Sequence, residues 1–148
     1  MTTQPSQAVR SSDLPPPRLR RMVAPAATIG GLAAATLALH VRDPHESGSW
    51  GLCPSAALGF YCPGCGGLRA VNDLTNGDLG AAASSNLVLV VLIPIAVVAL
   101  VVWALDRWQG RSRRPSWHVL RPGVLAFIGV LVAFTVLRNM AAGAWLAP

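Results

Sequence analysis

The chain has 148 residues, of which 53% are hydrophobic and only 12% charged. A soluble domain is typically about 25% charged, so this composition suits a lipid-facing surface better than a water-facing one. The net charge of +6 comes from Arg alone, without Lys, and those Arg cluster at the ends of apolar runs. That is the pattern of a topology signal and not of a basic groove interleaved with aromatics, which argues against nucleic acid as a partner.

Residues 1–21 are polar and rich in Pro, including Pro15-Pro16-Pro17, and end on Arg18, Arg20 and Arg21. A segment with so little to bury is expected to be a disordered tail. The first apolar run follows, Met22 to Val41. As a helix it covers about 30 Å, the thickness of the hydrocarbon core. Ala26, Gly30, Ala34 and Ala38 fall on one helical stripe at spacing four. Small residues at that spacing let helices approach closely in lipid, which points to a helix partner in a homo-oligomer or a larger complex. Ala-rich composition alone also produces such a stripe. A secretory signal peptide is a competing reading of this run, with Arg20-Arg21 as a twin-Arg start and Ala33-Ala34-Ala35 as an A-x-A site. The run is longer than a usual signal core.

Residues 42–85 form the long loop. It holds all three cysteines, Cys53, Cys62 and Cys65, and four of the six acids. The second apolar run, Leu87 to Leu105, carries no charge and contains Pro94. It is apolar all round, as a lipid-embedded helix is. Residues 106–118 bring Asp106 and the four Arg at 107, 111, 113 and 114. The third run is Val119 to Leu137, closed by Arg138-Asn139, which reads most simply as a stop at the membrane edge. The fold class is therefore all-α: an integral membrane protein with three transmembrane helices, in contact with the lipid bilayer.

Charge sets the expected orientation. The N-terminal tail sums to +3, the long loop to −2 and the second loop through Arg121 to +4. The positive-inside rule then puts the N-terminus and second loop in the cytoplasm, and the long loop and C-terminus outside. Trp103, Trp108 and Trp117 fall near the inner interface, Trp50 and Trp145 near the outer.

Within the loop, Cys62-Pro63-Gly64-Cys65 leads through Gly66-Gly67 into a short helical pattern, Leu68 to Thr75. Asn76-Gly77 is its expected end. Asp78 is the expected N-cap of a second short helix, Leu79 to Ser85. Cys65, Arg69 and Asp73 share one face at spacing four. Arg69 can favour a thiolate at Cys65, or form an ordinary i,i+4 pair with Asp73. Two cysteines two residues apart can form a structural disulfide, cycle between dithiol and disulfide, or supply two metal ligands. Cys53 and His45 are the residues available to complete a metal set, at a spacing that fits no standard zinc pattern. His40, His45 and His118 are otherwise scattered. No phosphate loop, acid/base carboxylate pair or Ser/His/Asp set is present, and no cofactor is indicated.

The stretch Cys62 to Ala70, C-P-x-C-G-x-x-R-A, resembles the signature of a family of small bacterial membrane proteins, domain-of-unknown-function family 2752. Gly77-Asp78-Leu79, Asn86 opening the next membrane helix, and the Arg138-Asn139 pair match further elements of that pattern. The chain departs from it at Leu68, where Thr is frequent, at Leu87, where Pro is common, and at Met140-Ala141, where Leu-Pro is frequent. The missing Thr weakens the case for a hydroxyl partner for the cysteines. The resemblance covers about residues 40–148. It implies the membrane architecture and a focus on Cys62, Cys65 and Arg69, and it implies no mechanism. Arg69, Asp73, Asp78, Asn86, Arg138 and Asn139 are the candidate loop-organising residues. Two functions stay open: a non-enzymatic binding or assembly component whose loop is shaped by the cysteines, and a thiol-disulfide redox or metal-handling protein.

Overall fold

The computed structural model describes residues 17–46, 50, 53–111 and 116–147, and the described residues are helical, with no strand among them. The expected disordered tail lies outside them up to residue 16, as do Arg113 and Arg114 of the second loop.

Three helices are long and apolar enough to cross a membrane: α1 (Arg18–Val41), α4 (Leu79–Gln109) and α5 (Trp117–Arg138). Each contains its apolar run and extends beyond it, because helical hydrogen bonding does not stop where hydrophobicity does. Arg18, Arg20 and Arg21 therefore stand on the first turns of α1 and not in an irregular tail. Most of the apolar side chains of these helices are exposed, as lipid-facing ones are. Between α1 and α4 lie two short helices, α2 (Pro54–Ala57) and α3 (Gly67–Thr75), and a 3-10 helix, Ala141–Leu146, closes the chain.

The chain alternates direction. Arg18 at the start of α1 sits over the ring of Trp108 at the end of α4, 5.8 Å from its centroid. The cysteine loop lies at the opposite end, joined there by the C-terminal end of α5. α3 packs against α1 and α4, and the closing 3-10 helix packs against α4 and α5. A Cβ at Gly143 would collide with the carbonyl of Leu137, so only glycine allows the 3-10 helix to lie this close to α5.

The expected second short helix is present as the first two turns of α4. Asp78 caps it by accepting from the Ala81 N–H at 2.8 Å. At Asn86 the backbone leaves helical geometry, φ −161° and ψ 89°. Its side-chain oxygen accepts from the Leu89 N–H at 3.0 Å, so Asn86 acts as the N-cap of the helix that restarts at the apolar run. Buried residues gather around this kink: Cys65, Ala70, Asn72, Asp73, Ala82, Ser85, Asn86 and Arg138. The protein core thus sits in the loop, not between the spans, and five of these eight residues are polar or charged.

Candidate functional site

The loop is held by a network in which side chains satisfy buried backbone groups. Asn72 donates to the Leu39 carbonyl at 2.7 Å and so fastens α3 to the end of α1. His40 adds a contact to the Thr75 hydroxyl at 3.1 Å. Asp73 accepts from the Ser85 hydroxyl at 2.9 Å and faces His45 Nε2 at 3.3 Å, which ties α3 to the kink and to the start of the loop. Arg69 pairs with neither Asp73 nor Cys65 among the described residues; Asp73 is already occupied from two other directions. The Arg69 charge acts instead, as a minor contribution, on Asp43, whose carboxyl is held below its ordinary value first by the His45 backbone N–H and then by the His45 side chain.

The Cys62–Cys65 turn is clamped from two sides. Asn86 Nδ2 donates to the carbonyls of Pro63 (2.9 Å) and Cys65 (3.1 Å). Arg138, only 1% exposed, donates through Nη1 to the carbonyls of Cys62 (3.0 Å) and Cys65 (3.1 Å), and through Nη2 to that of Ser85 (3.4 Å). Its guanidinium also lies over the rings of Phe134 and Tyr61, 4.9 and 5.8 Å from their centroids. Asn139 exchanges two hydrogen bonds with the backbone of Tyr61, accepting at 2.9 Å and donating at 2.8 Å. The Arg-Asn pair is thus the anchor of the cysteine turn. A plain stop at the membrane edge does not account for the burial of Arg138. Gly66 follows the turn at φ 75°, a left-handed conformation that glycine adopts without steric cost, and this starts α3 at the required angle.

That clamped turn meets α2. All three sulfurs lie within 4.8 Å of one another. Cys65 Sγ is central, 3.1 Å from Cys53 Sγ and 3.3 Å from Cys62 Sγ, and all three cysteines are free thiols. The Ser55 hydroxyl touches Cys53 Sγ at 3.1 Å and Cys65 Sγ at 3.2 Å. Leu68 in place of Thr weakens the case for a hydroxyl partner at that position; Ser55 supplies one from a different element. Neither α2 nor this contact was read from the sequence. Pro54 at the first helical position was the available signal, since proline is favoured there. His45, the other residue considered for a metal set, bonds Asp43 and Asp73 instead of joining the sulfurs.

The three thiols are electrostatically unequal. The Ser55 hydroxyl, then the Ala56 backbone N–H and Cys65, bring Cys53 down to about 6. Cys62 is lowered as well, by the Ser55 hydroxyl first, against the opposing effect of its burial. Burial raises Cys65, and its two cysteine neighbours push it further. The arrangement offers two thiolate-prone sulfurs flanking a buried one.

Residues 53–100 match the model of the family described as Protein of unknown function (DUF2752). The match supports the resemblance read from the C-P-x-C-G-x-x-R-A stretch. The matched segment begins at Cys53 and so contains all three cysteines, Ser55, α3 and the Asn86 kink, while the anchor residues Arg138 and Asn139 lie outside it. No curated protein and no solved structure matches the chain.

Proposed function

We propose that this multi-pass membrane protein is a non-enzymatic binding component whose loop presents a reduced three-thiol centre at the extracytoplasmic face of the membrane. The observation that carries the reading is the convergence of Cys53, Cys62 and Cys65, from two separate stretches of the loop, to sulfurs within 4.8 Å. A single structural disulfide needs two cysteines. It does not account for a third at the same distance, nor for a hydroxyl placed between them. The orientation rests on the acidic balance of the loop against the Arg-rich N-terminal and second-loop segments. The same reading assigns a helix partner, or a second copy of the chain, to the face of α1 bearing Ala26, Gly30, Ala34 and Ala38, all exposed.

Replacing Cys62 and Cys65 with Ser tests the proposal. A protein that still inserts and folds but loses a thiol-bound ligand or partner supports it. Collapse of the fold assigns the cysteines to structure alone.

A thiol–disulfide relay is the second reading, favoured by the central position of Cys65. Starting from a Cys62–Cys65 disulfide, the Cys53 thiolate attacks Cys65 Sγ, a Cys53–Cys65 bond forms, and the electron pair leaves on Cys62 as thiolate. The exchange is redox-neutral. Mapping which pair is bonded in a partly oxidised sample separates it from simple binding.

A further inference from the structure

We infer that Cys53, Cys62 and Cys65 form a three-coordinate site for a soft, monovalent d10 metal ion, copper(I) or its analogue silver(I). The inference rests on the thiol-centre reading above and names its ligand.

Thiolates select soft ions, copper(I) and zinc(II) foremost. Metal–sulfur bonds of about 2.3 Å in a trigonal plane put sulfurs about 4 Å apart. The present separations of 3.1 and 3.3 Å from Cys65, with all three sulfurs inside 4.8 Å, lie close to that spacing. The backbone that carries Cys62 and Cys65 is held by Arg138 and Asn86 through the Cys62, Pro63 and Cys65 carbonyls.

Ligand number decides between the ions. Zinc prefers four donors. Among the described residues no histidine or carboxylate joins the three sulfurs, and His45 is committed to Asp43 and Asp73. Three thiolates complete the shell of a monovalent soft ion without a fourth group. Two features suit the anionic cluster that results. The Ser55 hydroxyl touches two of the sulfurs and can donate to a metal-bound thiolate, as outer hydrogen bonds to metal ligands commonly do. Arg138 is a buried cation that no carboxylate pairs among the described residues, and its charge interacts with Cys62 and Cys65.

The test is an anaerobic titration of the reduced, full-length chain in detergent with silver(I) alone, under competition from a soluble thiol chelator. One equivalent is expected to bind. Cys53→Ser, Cys62→Ser and Cys65→Ser are each expected to weaken it at least tenfold, with helicity by circular dichroism unchanged. X-ray absorption on the wild-type copper(I) form is expected to count three sulfur neighbours, a readout that needs no variant. Silver binding as tight in Cys53→Ser as in wild type, or two sulfur neighbours, overturns the three-coordinate site. Zinc(II) displacing silver at equal concentration overturns the preference for a monovalent ion. Three reactive thiols that hold neither ion overturn the metal site while leaving the thiol centre standing. A disulfide among the three in protein taken from native membranes overturns both.

Discussion

Arg138 Nη1 donates to the carbonyl oxygen of Cys65 at 3.1 Å, joining the last turn of the third long helix to a turn 73 residues earlier. Asn86 donates to the same oxygen, also at 3.1 Å, from the kink that opens the second. One carbonyl in the cysteine turn thus receives two membrane helices at their loop-side ends. This is how a chain with little packing between its spans gives a loop a defined shape.

Arg138→Lys keeps the charge and loses the planar fork that reaches three carbonyls. Hydrogen bonds from a charged donor contribute about 1.5–3 kcal/mol, so a loss of stability of about that size is expected. Thermal unfolding in detergent measures it, and faster alkylation of Cys65 is expected alongside. Unchanged stability and protection remove Arg138 from the role of anchor.

Asn86→Asp separates the two tasks of Asn86. The carboxylate can still accept from the Leu89 N–H and cap the membrane helix, but it cannot donate to the Pro63 and Cys65 carbonyls. Helicity by circular dichroism is expected to hold while the cysteine turn loosens, read as faster labelling of Cys65. Asn86→Ala loses both functions, including a cap worth about 0.5–2 kcal/mol.

The thiols are expected to titrate in a fixed order. With Cys53 brought down to about 6, its alkylation rate in the reduced, metal-free protein rises as pH passes through that value and is flat above it. Cys65 is shifted the other way, so its rate keeps rising beyond the ordinary thiol range. Site-resolved mass spectrometry of iodoacetamide adducts across pH reads both curves. Ser55→Ala is expected to move the Cys53 curve to higher pH, because the Ser55 hydroxyl is the largest cause of its shift.

Gly66→Ala introduces a Cβ at φ 75°. Left-handed geometry costs an L-residue about 1–2 kcal/mol, so a drop in stability of that order is expected. Thermal unfolding checks it. The Gly59→Ala variant, at φ 85° but with open space around it, serves as the comparison for a substitution away from the cysteine turn.

The spans were legible because a run of about 20 apolar residues has few alternatives in a short chain. Leu68 to Thr75, its Asn76-Gly77 end and the Asp78 cap were legible for a local reason: each depends on residues within one turn. What the sequence could not show is what bonds across distance. The i,i+4 spacing of Arg69 and Asp73 suggested a pair, yet Asp73 is taken by His45 and Ser85, residues 28 positions before it and 12 after. Arg138-Asn139 resembled a charge at a membrane boundary because nothing near it in sequence reveals that Cys62, Cys65 and Tyr61 lie against it. The resemblance to a family pattern singled the pair out, and the geometry supplies a physical reason. Cys53 is the sharpest case. Nine residues from Cys62 it fits no metal or redox spacing, and only the turn through α2 brings its sulfur to Cys65.

The most direct test of the account is a thiol count on intact cells without prior reduction. Cells treated with a metal chelator are labelled with a membrane-impermeant maleimide, and the purified chain is weighed. The account predicts adducts at Cys53, Cys62 and Cys65, with Cys65 slowest because it is buried. Labelling only after lysis, or a mass that shows two of the three joined as a disulfide, would contradict a reduced three-thiol centre facing outward.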